Sequence, residues 1–166
     1  MRKIGLLSDT HACWDDRYEK YFQSCDEIWH TGDIGSTELL DKLESLKPVR
    51  AVYGNIDGQE LRIRIPKHQH FIVEDVDVWM THIGGYPGRY DRSVTPQIYL
   101  HPPKLFVCGH SHILKVLYDK TLKLLCINPG AAGKYGFHKK RTLVRFVIEG
   151  AEIKDLEVIE LGENGL

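Results

Sequence analysis

Hydrophobic and polar positions alternate in two periodicities over the first third of the chain. The apolar run 4–7 predicts a strand, and Tyr18, Tyr21, Phe22 and Cys25 then fall at the spacing of one helical face behind acidic Asp15 and Asp16. The pattern repeats: residues 27–29 predict a second strand, and Ser36 is placed to cap a helix whose stripe is Leu39, Leu40, Leu43 and Leu46. Pro48 ends that helix and residues 49–53 predict a third strand. This βαβαβ order implies a parallel sheet with right-handed crossovers. After Asn55 the texture changes to short β-branched or aromatic runs at 71–73, 76–80, 104–107, 116–118, 122–127 and 143–148, separated by turn residues. Glu149-Gly150 predicts a hairpin into the alternating Ile153, Leu156 and Val158, and Thr95-Pro96 a short helix stopped by Pro102-Pro103.

With 166 residues, 42% hydrophobic and 27% charged, the chain reads as one globular domain spanning 1–166. That length supports a core without metal or disulfide staples, so metal-type ligands need another explanation. The composition excludes disorder, and no apolar run approaches the ~18 residues of a membrane span. The first apolar run meets Ser8 and Asp9 too early for a signal peptide. Cys13, Cys25, Cys108 and Cys126 form no C-x-x-C pair, which fits reduced structural thiols and a cytoplasmic protein. Net charge is -1, yet residues 84–146 hold 11 basic and 2 acidic side chains, a net of +9 that hints at an anion-facing region.

The candidate chemistry lies where strands end. Residues 4–7 lead into Ser8-Asp9-Thr10-His11, the second strand into Gly32-Asp33, the third into Gly54-Asn55, and later strands into Thr81-His82 and Gly109-His110-Ser111-His112. In α/β sheets, sites gather beyond the carboxyl ends of strands. Taken singly, Asp-x-His, His-x-His, Gly-Asp and Gly-Asn are ordinary surface or turn motifs; their order at successive strand ends is what carries the reading. In extended chain, residues i and i+2 project to one side, so Asp9-x-His11 and His110-x-His112 each read as a chelate. Carboxylate, carboxamide and imidazole suit Mn, Fe, Ni or Zn, and the absence of Cys argues against a structural thiolate zinc site. If Asp33 bridges, two ions could each take four protein ligands and activate a water between them, with a phosphate ester as substrate.

This series resembles the calcineurin-like metallophosphoesterase superfamily, in particular its small phosphodiesterase branch of the YfcE type, and Asn128-Pro129-Gly130 resembles the turn that branch carries after its last His motif. The likeness runs from Asp9 to about Gly130. It implies an α/β fold, a four-layer α/β/β/α sandwich. It also implies a phosphodiesterase supported by two divalent ions, manganese foremost, with nickel, iron or zinc as alternatives. Asp9, His11, Asp33 and His112 would hold one ion; Asp33, Asn55, His82 and His110 the other.

Three features depart from the wider superfamily. Many members place a His directly after the motif Asn, where this chain has Ile56, which can neither stabilise charge nor protonate a leaving oxygen. Asp57 then reads either as a residue orienting Asn55 or a ligand His, or as a plain turn residue. The motif His is followed by Ile83-Gly84-Gly85, which implies a differently shaped loop up to Asp91. A basic stretch with Lys134, His138, Lys139 and Arg141 is the candidate for holding substrate phosphate, with His138 as the replacement proton donor; the alternative is a solvated loop. Trp14 could wall the site or simply pack, His30 reads as a core histidine, and His68, His70 and His101 receive no role.

A small phosphate ester is the expected partner. The rivals are a non-catalytic scaffold of the Vps29 type and a nuclease using the basic segment on nucleic acid. A homo-oligomer stays open.

Overall fold

The computed structural model describes residues 1–165; Leu166, the last residue of the expected 1–166 domain, lies outside the described residues. The chain runs β1 (Arg2–Leu7), α1 (Arg17–Phe22), β2 (Glu27–His30), α2 (Thr37–Leu46), β3 (Val49–Ala51) and α3 (Gln59–Arg62). It continues with β4 (His68–Val73), β5 (Val76–Thr81), the short β6 (Gly85–Tyr86) and β7 (Arg89–Tyr90), α4 (Gln97–Leu100) and β8 (Leu105–Val107). It closes with β9 (Leu114–Asp119), β10 (Leu124–Pro129), β11 (Lys140–Glu149) and β12 (Glu152–Glu163).

Two five-stranded sheets result, ordered β12-β11-β1-β2-β3 and β4-β5-β8-β10-β9. β1, β2 and β3 pair in parallel, as the βαβαβ pattern requires, and β11 folds back antiparallel on β1 to return the chain's end to its beginning. The hairpin expected at Glu149-Gly150 joins β11 to β12, with Glu149 opposite Glu152. The loop after His82 carries the two-stranded β6-β7 ribbon, whose pairing sets Gly85 opposite Tyr90.

Strand alternation assigns each side chain to a layer. Ile4 and Leu6 of β1 face the second sheet, joining Trp29, Val78, Met80, Leu105, Val107, Ile127, Val144 and Phe146 in the core between the sheets. Leu7 faces the other way, onto Tyr18, Phe22, Leu39, Leu40 and Leu43 of the helices. Trp79, Phe106 and Cys126 face outward from the second sheet and are covered by Tyr90, Val94 and Ile98. The layers are therefore helix, sheet, sheet and a thin final layer around α4, the α/β/β/α sandwich expected.

Local signals explain the helices. Ser36 accepts a hydrogen bond from the Leu39 amide at 3.2 Å, capping α2 as its position predicts. The stripe through Cys25 overstates α1, which ends at Phe22. Asp26 accepts the Lys3 amide at 2.7 Å and draws the chain into the sheet, so Cys25 reaches the core from a turn. All four cysteines are free. No helix among the described residues is long and apolar enough to cross a membrane.

Gly5 shares the face of Leu7 and leaves room for the Phe22 ring. A Cβ there would stand 2.5 Å from Phe22 Cδ1. Gly5→Ala is expected to lower stability in urea unfolding by about 1–3 kcal/mol, the usual cost of overpacking, and to cost clearly less in a Phe22→Leu background. Equal losses in both backgrounds would locate the strain elsewhere.

Candidate metal centre

The ligand-type residues all stand just past strand ends: Asp9 and His11 after β1, Asp33 after β2, Asn55 after β3, His82 after β5, and His110 and His112 after β8. Extended geometry does not aim them. Asp9, His11, Asp33, His110 and His112 have φ of 53°, 44°, 55°, 71° and 63°, the left-handed conformation that L-residues otherwise avoid at about 1–2 kcal/mol each. β1, β2 and β8 have therefore already turned where their ligands project, and the sharp turn replaces the expected i, i+2 alignment as the cause of convergence there. Hydrogen bonds between the loops hold these turns. The amides of Asp9 and His11 donate to the carbonyls of Gly32 and Asp33 at 3.0 Å each, and that of Gly109 donates to His82 at 2.9 Å.

Two groups form within ligand distance: Asp9, His11 and His112, and Asp33, His82 and His110. Asp33 Oδ2 lies 3.5 Å from His11 Nε2 and 3.2 Å from His82 Nε2, between a member of each group. Asp9 Oδ1 lies 3.2 Å from His112 Nε2. Asn55 Oδ1 stands 3.1 Å from His110 Nδ1, which places the carboxamide beside the second group. His110 and His112 fall in different groups, so they are not a chelating pair; Asp9 and His11 share one.

The remaining atoms of these side chains are occupied in ways that fix their direction. Asp9 Oδ2 accepts from Ser8 Oγ at 2.6 Å and from the His110 amide at 3.1 Å, and Asp33 Oδ1 accepts from the Ile56 amide at 3.1 Å. His82 Nδ1 donates to the Thr31 carbonyl at 2.7 Å, leaving the Nε2 lone pair to face the cluster. Asn128 of the Asn-Pro-Gly turn donates to the Gly109 carbonyl at 2.9 Å and to Ser111 Oγ at 3.0 Å, clamping the loop that carries both histidines. Gly54 is required by the same crowding, because a Cβ there would stand on the Asp33 carboxylate.

The donor set fits cations. Asp9 Oδ1, His11 Nε2 and His82 Nε2 are buried and have no hydrogen-bond partner, a costly state for convergent acceptors unless positive charge lies between them. The protonation equilibria point the same way. Burial works to raise the carboxyls of Asp9 and Asp33, yet the neighbouring imidazoles outweigh it and hold both below the usual range. Burial likewise opposes a charge on His82, but Asp33 and Asp9 raise it, whereas burial prevails at His11 and lowers it. Metal-ligating carboxylates must be ionised, and these are.

Asp57, 3% exposed, joins two ligand loops. Its carboxylate accepts the amides of Ile34 at 3.1 Å and Gly35 at 2.9 Å beyond Asp33, and that of Gly54 at 2.9 Å before Asn55. It therefore orients backbone on both sides and touches no ligand side chain. His30 is fully buried, accepts the Gly32 amide on Nδ1 at 3.0 Å and meets Thr10 Oγ1 with Nε2 at 3.0 Å. Burial lowers its pKa to about 4, so it is neutral, the core histidine expected.

The basic stretch divides. Arg141 is 4% exposed, 3.1 Å from Asp15 and bonded to the Ala132 carbonyl at 2.8 Å. Its guanidinium is buried and engages Asp15 and Ala132, with Nη2 left without a hydrogen-bond partner. His138 donates Nε2–H to the Gly133 carbonyl at 2.8 Å and burial lowers its pKa, so its proton is directed away from the site. The ring packs edge-on against His112 at 5.1 Å, and its Nδ1 is buried without a hydrogen-bond partner. Tyr135, within the same stretch, lies over His11 at 4.8 Å. Lys134 and Lys139 are exposed on this loop. The +9 segment is also dispersed: Lys140 pairs with Glu160, Arg145 with Glu157, and Lys115 sits over Tyr86. Trp14 packs edge-on against Tyr18 at 5.4 Å.

The family model of the calcineurin-like phosphoesterase superfamily domain matches residues 2–151. A probable metallophosphoesterase of Methanothermobacter thermautotrophicus is 33% identical over 138 residues, covering 77% of this chain and 76% of its own. A second, from Methanocaldococcus jannaschii, is 29% identical over 135 residues, covering 77% and 67%. Among solved structures, an archaeal phosphodiesterase superposes with a TM-score of 0.77 at 23% identity, over 96% of this chain and 99% of its own. Vps29 of Entamoeba histolytica complexed with zinc gives 0.75 at 15% identity, over 98% and 99%. These two structures share the fold.

Two outcomes are expected from this geometry. Asp57→Ala leaves three amides without their acceptor and should cost roughly 2–4 kcal/mol in thermal or urea unfolding and lower the metal retained on gel filtration, with Asp57→Asn losing less. A buried neutral His30 binds its proton more weakly folded than unfolded. Its contribution is complete above about pH 6.5 and is lost as pH falls towards 4, on the order of 3 kcal/mol. In chelator, urea unfolding of wild type between pH 7 and 4 should therefore fall more steeply than that of His30→Gln; parallel slopes would deny it.

Proposed function

This chain belongs to the calcineurin-like phosphoesterase superfamily, and on that premise we propose that it hydrolyses phosphodiesters with two divalent metal ions, manganese foremost. The observation that carries this reading is the position of Asp33 Oδ2 between His11 and His82, amid buried donor atoms that have no other partner. Asp9, His11, Asp33 and His112 would hold one ion, and Asp33, Asn55, His82 and His110 the other. Bound there, divalent cations supply Lewis acidity, lowering the pKa of a water and neutralising charge on phosphoryl oxygens.

The chain's own residues supply placement. Thr31, Ser8 and Asp57 fix the directions of His82, Asp9 and the two loops, so little reorganisation remains for the reaction. Tyr135 and His138 pack their rings against His11 and His112. Lys134 and Lys139 stand at that rim as cations for the phosphate. After Asn55 comes Ile56, 46% exposed, which offers no proton to a departing oxygen. His138 holds its proton elsewhere, so the leaving group must depart as a stable anion, and activated diesters are favoured.

Metal-stripped protein reloaded with manganese, nickel or zinc is expected to hydrolyse bis(p-nitrophenyl) phosphate faster than p-nitrophenyl phosphate. Asp33→Ala should lose at least about 100-fold, together with bound metal, since both ions depend on it. Monoester preference would refute the diesterase reading. Two retained metals per chain with neither ester hydrolysed would favour a scaffold of the Vps29 type.

A further inference from the structure

A cavity of about 230 Å3 opens against the second ligand group, and Asn55 and His82 form part of its wall. Arg62, Lys67, Tyr53 and Asp91 line the rest of it. We propose that this cavity receives the second arm of the diester and selects an arm that carries its own anionic oxygen group, a carboxylate or a phosphate. The inference rests on the phosphodiesterase reading and names the substrate class of that site.

Contiguity is the first ground. A phosphoryl group held at Asn55 and His82 has two ester arms, and the cavity opens directly beside these two side chains. The cavity is the space beside Asn55 and His82 that can take one of these arms. Its volume lies below the about 300–1,000 Å3 usual for drug-sized ligands, so the arm is short.

Charge is the second ground. Two cations face one carboxylate. Asp91 already accepts the Ser93 amide at 2.9 Å. Lys67 forms no ion pair among the described residues, and the Asp91 carboxyl is held down chiefly by its hydrogen bonds from Ser93 and only last by the Lys67 charge. Arg62 is fixed in place: its guanidinium lies 4.5 Å over the Tyr53 ring, Nε donates to the Asp57 carbonyl at 2.6 Å, and Nη2 donates to the Gly54 and Asn55 carbonyls at 3.5 and 3.4 Å, which leaves Nη1 for a ligand. A fixed guanidinium loses little freedom on meeting an anion, and it is tied to the loop that presents Asn55. A cation in the same place would meet two like charges, which is how a site rejects a wrong partner.

The test uses the full chain loaded with manganese and two p-nitrophenyl phosphodiesters of similar length, one with a 2-carboxyethyl arm and one with a choline arm. Wild type should prefer the carboxyethyl diester by about 10-fold or more in kcat/KM, mostly through KM, and Lys67→Glu should bring that ratio to one or below. Calorimetry with the corresponding monoesters, 2-carboxyethyl phosphate and phosphocholine, reads the same preference without turnover. Equal affinities in wild type, or a ratio unmoved by Lys67→Glu, would overturn the proposal. If both diesters and bis(p-nitrophenyl) phosphate resist hydrolysis, the phosphodiesterase reading fails, while the calorimetric ratio still decides whether the cavity selects an anionic arm.

Discussion

The structure depends on keeping two carboxylates ionised out of reach of bulk water. Asp9 and Asp33 are 0% and 3% exposed, and each turns an oxygen toward imidazole nitrogens that are themselves almost withdrawn from solvent. Isolated buried charges of one sign cost many kcal/mol, so this constellation persists only with compensating positive charge and directed hydrogen bonds. The raised pKa of His82 shows that demand: in the bare site an imidazole is drawn toward protonation by the same carboxylates that would hold a metal. The left-handed turns, the Asp57 contacts and the crowding at Gly54 are all consequences of bringing those groups together.

The site also belongs to neither sheet alone. Asp9, His11, Asp33 and Asn55 follow strands of the first sheet, whereas His82, His110 and His112 follow strands of the second. Each ligand group therefore spans the sandwich, and its spacing is set by the core between the sheets, where Trp29 packs edge-on to Phe71 and Phe146 at 5.1 and 5.6 Å. Packed interiors resist small changes in volume, so this core acts as a spacer for the metal centre as well as a source of stability. The His82 carbonyl accepting from Gly109 joins β5 to β8, and the Asp9 carboxylate accepting from His110 crosses to the first sheet. Side chains meant for a cation are thus also the bonds that register the two halves.

What the sequence disclosed and what it concealed follow from the range of the forces involved. Ser36, the Leu39–Leu40–Leu43 stripe and the Glu149-Gly150 hairpin act within a few residues, and the βαβαβ order follows from them. The series of ligand types was legible because each motif ends its own strand. The conformation of those motifs was not: Asp9 and His11 look extended in sequence, and their left-handed turns depend on carbonyls of Gly32 and Asp33 more than twenty residues away. The surroundings of Arg141 and His138 were hidden for the same reason. A basic stretch is legible as charge, but only the fold sets Arg141 against Asp15 and gives the His138 proton to Gly133. The cavity cations Arg62 and Lys67 lie outside every motif, and no local signal could single them out.

Chemistry and selectivity are consequently separable in this molecule. The strand ends and their hydrogen bonds bring seven donor-type groups together, whereas the cations around them, Lys134 and Lys139 on one loop and Arg62 and Lys67 at the cavity, are exposed side chains. Exposed cations act through a screened field and are individually weak, so they cannot assemble the centre, but they can rank the esters that reach it. Burial makes the opposite demand at Asp9, where any change of charge unbalances the whole cluster. A chain of this kind can alter its substrate at the rim without disturbing the ligands, because Arg62 is tied to the backbone of the Asn55 loop rather than to a ligand side chain.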